Sequence, residues 1–188
     1  MHLNSETEAS GCGCGRGDGG RGRGLAGGCG MPALHALEGP LSAAALEAVL
    51  VALDDEYRAR AFYLAVLERF PGAMPFAHIV GSEERHAAAL ANILKTIGLP
   101  VPPNPHVGTE DIRRGVPASL ACACGLAVKE EIHNDRLYAD ELLPKVADFP
   151  VIAAVFERLM LASRERHLPA FRRFAQIYRA GHTGSAKQ

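Results

Sequence analysis

Proline and glycine divide the chain beyond residue 40 into segments of helical length, and no run of alternating β-branched residues lies between them. The four long predicted helices cover about residues 42–70, 75–98, 117–143 and 150–180. A short helical turn is predicted over 109–114, and Pro169 is expected to kink the last helix. Long amphipathic helices with mostly short connections bury their apolar faces well in a bundle. The pattern therefore predicts an all-α protein, an antiparallel four-helix bundle.

Glycine is concentrated at the start of the chain. Eleven of the 20 glycines fall within residues 1–30, whereas every Phe and Tyr lies at or beyond Tyr57. Such a segment has too little apolar area to offset the conformational entropy of an ordered backbone. We therefore predict a flexible tail over 1–30, the bundle over 31–182 and a short C-terminal tail over 183–188.

Length, charge and hydropathy narrow the classes of partner. A chain of 188 residues with a formal net charge of −1 predicts one domain and offers no electrostatic reason to bind nucleic acid. No stretch approaches the roughly 18 apolar residues of a membrane span, and the first residues lack the pattern of a secretory signal. We expect a cytoplasmic protein with neither nucleic acid nor a membrane as partner.

The five cysteines are an odd number, which in the cytoplasm favours reduced thiols or metal ligands over disulfides. Cys12, Cys14 and Cys29 lie in the glycine-rich tail, where they could bind a soft metal ion, although their spacing matches no common zinc module. Cys122 and Cys124 lie within one predicted helix and are expected at its core and its boundary.

Each predicted helix carries an acidic or imidazole side chain within its apolar stripe. At about 100° per residue, Glu56 falls on the apolar face of the first helix. Glu83 and His86 fall one turn apart on the apolar face of the second. His167 lies at the middle of the inner face of the fourth. One such residue on its own is typical of a hydrogen-bonded core side chain, but four helices sharing the feature indicate a common site.

The third helix offers a choice between Glu130 and Glu131. Its apolar stripe is centred on Glu131, so we predict that Glu131 points inward, although Glu130 forms an E-x-x-H pair with His133. By the same periodicity Glu84 and Glu165 point away from the interior. The predicted site thus contains three carboxylates and two imidazoles.

Three buried carboxylates repel one another unless protons or a cation neutralise them. A bound metal ion removes that penalty and uses the same side chains as ligands. The predicted metal ligands are Glu56, Glu83, His86, Glu131 and His167. A metal-free polar network, in which these side chains bond to one another, is the alternative.

Around these residues the chain resembles the ferritin-like diiron-carboxylate proteins, the group that contains rubrerythrin. In that group two helices supply one Glu each, and each of the other two supplies an E-x-x-H pair. The resemblance makes Glu56 and Glu131 the single carboxylates and Glu83-x-x-His86 one of the pairs. An uncharacterised ferritin-like family, a domain of unknown function, is more similar still. That similarity covers about residues 40–180, in the strings DDEYRARAFYLAVLERF, SEERHAAAL, EIHNDRLYADELL and LASRERHLPAF.

The chain departs from the ferritin-like pattern on the fourth helix. Arg164 occupies the place three residues before His167, where the pattern has a Glu. We expect the Arg164 guanidinium to lie beside the carboxylates as a fixed counter-charge. The resemblance therefore implies an iron centre that is either mononuclear or dinuclear, and Mn or Zn would also suit these ligands.

The resemblance further implies a small iron-dependent oxidoreductase of ferroxidase or peroxidase type. Its reactants would be Fe(II), oxygen or peroxide, with an electron donor that the sequence does not name. The sequence leaves the oligomeric state open, and a homodimer is one alternative. Tyr57 and Tyr138 share the inner faces and could donate hydrogen bonds or electrons, or simply pack. Two further alternatives are a metal storage module without turnover and a metal-free helical interaction protein.

Overall fold

The computed structural model describes residues 40–184, and all regular secondary structure in this range is helical. The all-α prediction is therefore confirmed for this part of the chain. The predicted tail over 1–30, with its three cysteines, lies outside the described residues. The elements are α1 (Ala43–Arg69), α2 (Phe76–Thr96), α3 (Glu110–Arg114), α4 (Leu120–Arg136), the π-helical segment π1 (Leu137–Leu142), α5 (Leu143–Lys145), α6 (Pro150–Ala162), the π-helical segment π2 (Ser163–His167) and α7 (Leu168–Gly184).

Serine caps mark the beginning of two of the long helices, α1 and α4. Ser42 has extended backbone, and its hydroxyl accepts a hydrogen bond of 3.1 Å from the Ala45 N–H, which satisfies one free donor at the start of α1. Ser119 has the same role for α4, which begins at Leu120 rather than at Pro117 as predicted. After α1 the chain turns through Gly72, whose φ of +71° is readily adopted only by glycine.

The two π-helical segments each end two residues before a proline, at Pro144 and at Pro169. Proline has no N–H for the carbonyl four residues earlier, and its ring clashes with that carbonyl. The i to i+5 bonding of a π segment widens the turn and relieves this conflict. The helix therefore continues as α7 to Gly184 instead of ending near 180, and Gly181 keeps helical backbone.

The long helices pack as two principal pairs, α1 along α2 and α4 along α7. The segment π1, which continues α4, contacts α1 and so helps to join the two pairs, whereas the contact of π2 with α4 lies within the second pair. Two apolar clusters result. The first includes Leu53, Leu90 and Tyr138, and the second includes Phe76 and Phe171.

The buried polar residues lie between these two clusters. On α1 the first cluster includes Leu53, the second includes Tyr63, and Glu56 lies between them. On α4 and π1 the order is reversed, because Ala127 belongs to the second cluster and Tyr138 to the first. The fold thus places a polar layer across the middle of an otherwise apolar interior. Among residues 40–184 no helix is both long and apolar enough to cross a membrane.

Candidate metal centre

All five predicted ligands lie in this polar layer, and each is buried. The exposed fractions are 2% for Glu56, 2% for Glu83, 8% for His86, 4% for Glu131 and 3% for His167. They come from α1, α2, α4 and π2. Helices that are distant in sequence therefore bring three carboxylates and two imidazoles to one place.

Glu56, Glu83 and His86 form the first group, with ligand atoms within 4.8 Å of one another. The Nδ1 atom of His86 lies 3.2 Å from Glu56 Oε2 and 3.0 Å from Glu83 Oε2. Both contacts have hydrogen-bond geometry. The one-turn spacing of Glu83 and His86 on α2 therefore brings the two side chains into contact.

Glu83, Glu131 and His167 form the second group, also with ligand atoms within 4.8 Å. His167 Nδ1 lies 3.1 Å from Glu83 Oε1 and 3.6 Å from Glu131 Oε1. The first contact lacks the direction that a hydrogen bond requires and the second is too long for one, so this buried nitrogen has no hydrogen-bond partner. An imidazole nitrogen without a partner, next to two carboxylates, fits a divalent metal ion.

Glu83 belongs to both groups. Its two oxygens face different histidines, and the rings of His86 and His167 stack with centroids 5.5 Å apart. The oxygens of three carboxylates and one nitrogen from each of two imidazoles suit iron, manganese or zinc.

Two tyrosines donate hydrogen bonds to Glu56 and Glu131, the carboxylates that each belong to one group only. Tyr138 donates a hydrogen bond of 3.0 Å to Glu56 Oε1, and Tyr63 donates one of 2.8 Å to Glu131 Oε1. Each tyrosine follows the glutamate of its own helix by seven residues but bonds to the glutamate of the other helix. Burial and the nearby carboxylates raise the pKa of both hydroxyls well above the usual value, so both remain hydrogen-bond donors.

The helical periodicity predicts Tyr57 and Tyr138 on the inner faces, but it does not identify Tyr63. The Tyr57 hydroxyl donates a hydrogen bond of 3.1 Å to the carbonyl oxygen of Pro102 and not to a residue of the candidate metal centre. A second signal was available, because Tyr63 stands two turns after Glu56 and Tyr138 stands two turns after Glu131.

When no cation is bound, protons neutralise the buried Glu and His side chains of the candidate metal centre. Burial raises the pKa of Glu56 to about 8, although His86 opposes the rise. Burial disfavours the charged forms of both histidines, but the adjacent carboxylates outweigh it and raise the pKa of His86 to about 10 and of His167 to about 9. For Glu83, burial is outweighed by the two histidines, which lower its pKa. A divalent ion would displace the protons on Glu56 and the two imidazoles.

Arg164 does not lie beside the carboxylates, and this prediction is wrong. Its side chain is exposed, and Nε donates a hydrogen bond of 2.8 Å to Asp135 Oδ1. The reason is π2, because i to i+5 bonding packs more residues into each turn than an α-helix does. Ser163, four residues before His167, is buried in place of Arg164. Together with Glu83 and Glu131 it lines a cavity between α1 and α4.

The residues predicted to point outward do so. Glu84 and Glu165 are exposed. Glu130 accepts a hydrogen bond of 3.1 Å from Arg58 at the surface, and His133 is exposed. Among the two cysteines of α4, Cys124 is fully buried, and burial raises its pKa to about 12, whereas Cys122 is exposed.

No protein-family model, curated protein or solved structure matches the chain.

Because π2 buries Ser163 and exposes Arg164, Ser163 is the position from which a sixth ligand could join the five buried side chains, and substitutions test this. Ser163→Glu should raise the number of bound divalent ions per chain, because the new carboxylate starts from a buried backbone position beside Glu83 and Glu131. Arg164→Glu should leave the number unchanged. Elemental analysis after metal loading measures both, and Ser163→Asp provides a smaller substitution if the glutamate does not fit. An increase with Arg164→Glu and none with either Ser163 variant would contradict the register of π2.

Proposed function

We propose that the chain is a ferritin-like metal-binding protein, an antiparallel four-helix bundle whose inner Glu and His side chains hold iron. The position of Glu83 is the observation that carries the proposal. Its Oε2 lies 3.0 Å from Nδ1 of His86, and its Oε1 lies 3.1 Å from Nδ1 of His167. A carboxylate with one oxygen toward each imidazole is suited to be shared between two cations.

Each of the two groups would then hold one ion. Glu56 and His86 would complete the ligand set on one side of Glu83, and Glu131 and His167 on the other. Occupation of one group alone corresponds to a mononuclear centre. Mn or Zn would find the same donors, so the choice of iron rests on the resemblance to the ferritin-like diiron proteins.

Iron in such a site supplies electron transfer to oxygen or peroxide, and we propose that the protein oxidises Fe(II) or reduces peroxide or oxygen. The protein side chains hold the ligands in place for this chemistry. Tyr138 and Tyr63 keep their protons and orient Glu56 and Glu131 by hydrogen bonds.

Aromatic side chains pack against both tyrosines. Phe156 packs edge-on against Tyr138, with ring centroids 5.4 Å apart. Phe76 and Phe171 pack against Tyr63 at 5.5 and 5.2 Å. In a site with this little solvent, charge interactions between the carboxylates and a cation are stronger than at a surface.

A metal-free polar network is the second candidate, and the contacts of His86 favour it. A protonated His86 ring lies within hydrogen-bond distance of both Glu56 and Glu83, so these three side chains can satisfy one another without an ion. The unpartnered Nδ1 of His167 argues against this network as the complete explanation.

Metal analysis of the purified protein tests the proposal. We expect between about half and two equivalents of Fe, Mn or Zn per chain, because three buried carboxylates strongly favour a cation. Oxygen consumption after anaerobic Fe(II) loading should exceed that of the same Fe(II) without protein. Metal binding without oxygen consumption would support a storage module, and no metal even after loading would support the metal-free network.

A further inference from the structure

A cavity of about 160 Å³ opens at the surface between α1 and α4, beside α3, and reaches the candidate metal centre. Glu56, Glu83 and Glu131 form its inner end. It is similar in size to cavities of about 150 Å³ that accept a benzene molecule. The cavity is therefore large enough for an organic molecule with a single six-membered ring.

The walls between the mouth and the carboxylates are largely apolar. Ala59 and Phe62 of α1 face the cavity, together with Ile112 of α3 and Leu126 of α4. Against these four side chains a cation would lose hydration without gaining ligands from them, whereas an apolar group gains free energy from burial there. The walls therefore favour a cavity that binds an organic ligand over one that serves only as a path for ions.

The mouth of the cavity is acidic, because it carries one guanidinium, that of Arg58, and three carboxylates, those of Asp55, Asp111 and Glu130. Arg58 donates a hydrogen bond of 2.8 Å to Asp55 and one of 3.1 Å to Glu130, and it joins α1 to α4 across the opening. Its guanidinium is therefore not free to hold an anionic ligand. The two carboxylates beside it disfavour an anion further. This arrangement disfavours an anionic ligand, and the apolar walls disfavour any group that brings its charge out of water, so an uncharged ligand fits best.

One buried acceptor in the cavity wall has no partner. The Nδ2 atom of Asn134 donates a hydrogen bond of 2.7 Å to Asp55 Oδ2, which fixes the orientation of the amide. The Oδ1 atom then has no hydrogen-bond partner, although Asn134 is only 8% exposed. A buried carbonyl oxygen of this kind is satisfied by a hydrogen-bond donor on a ligand.

We propose that this cavity binds a small uncharged alcohol or phenol, with its apolar body against Ala59, Phe62, Ile112 and Leu126 and its hydroxyl donating to Asn134 Oδ1. The inference rests on the proposed metal centre, because it assigns this molecule as the one presented to the centre. It adds an organic substrate class to a site that otherwise handles Fe(II), oxygen and peroxide.

Phenol and benzene are the probes, titrated calorimetrically into the full-length protein after anaerobic Fe(II) loading. We expect phenol to bind roughly tenfold more tightly than benzene, since the two differ by one hydrogen bond. Asn134→Leu should remove that preference while benzene still binds. Ala59→Leu should fill the cavity and abolish binding of both, whereas Ala121→Leu, at a half-buried site on α4 outside the cavity, should change neither.

Metal content and circular dichroism of each sample separate this inference from the proposed function. Normal metal content with no phenol binding to the wild-type protein would overturn the inference and leave the metal centre in place. Equal phenol binding by the Ala59→Leu variant would also overturn it, because the ligand would then lie elsewhere. Phenol binding by a protein that holds no metal would overturn the proposed function and, with it, the assignment of the ligand as substrate.

Discussion

Glu83→Gln is expected to remove nearly all divalent metal from the protein, with a loss of affinity of more than about a hundredfold. Glu83 contributes an oxygen to each of the two groups, and its side chain touches both histidines. The amide keeps the size of the side chain but removes its charge and one acceptor oxygen. Elemental analysis and anaerobic Fe(II) titration measure the loss.

Glu84→Gln is the matched control, because Glu84 is the next residue on α2 and is exposed. It should leave metal content unchanged. Glu56→Gln and Glu131→Gln should each have an intermediate effect, since each of these residues belongs to one group only. If Glu83→Gln retained wild-type metal content while Glu130→Gln lost it, the assignment of the centre to the buried layer would be wrong.

The second large effect is a loss of apoprotein stability with rising pH that bound metal removes. In the apoprotein, the pKa of Glu56 is raised from 4.5 to about 8 and those of His86 and His167 from 6.5 to about 10 and 9. Each group binds its proton more tightly when folded. The associated stability is present below the ordinary pKa and is lost as pH rises through the folded value. The melting temperature of the apoprotein should therefore fall between about pH 5 and pH 10.

Glu83 acts in the other direction, because its pKa is lowered on folding, and its contribution is lost only below about pH 4.5. The apoprotein should thus be most stable near pH 5. The affinity for metal rises over the same pH range in which the apoprotein loses stability, because the ligands must lose their protons to bind an ion.

At pH 8, Fe(II) or Mn(II) at about a thousand times its Kd should raise the melting temperature by about 8–16 °C. This follows from about 4 kcal/mol of linked stabilisation and 2–4 °C per kcal/mol for a chain of this size. Thermal unfolding of apo and loaded protein at pH 6, 7, 8 and 9 measures both slopes. If the melting temperature of the apoprotein were independent of pH and metal did not raise it, the assignment of the buried Glu and His side chains as a metal site would be wrong.

Much of the fold follows from local signals in the chain. Pro71, Gly72, Ser42 and Gly98 mark helix ends because their backbone and hydrogen-bonding preferences act over only a few residues. The periodicity also separated Glu131 from Glu130 and Glu84 from Glu83, because burial along a regular helix repeats every 3.6 residues. These inferences required no knowledge of which helices are neighbours.

The sequence left undetermined whatever depended on a departure from regular α-helix or on pairing between helices. At 100° per residue Arg164 falls near the inner face, but π2 changes the helical register and brings Ser163 inside instead. The crossed hydrogen bonds from Tyr63 to Glu131 and from Tyr138 to Glu56 join residues about 70–80 positions apart. Helical periodicity identifies which side of a helix is buried, whereas the partner of each buried side chain is decided by how whole helices pack, which is a property of the tertiary structure.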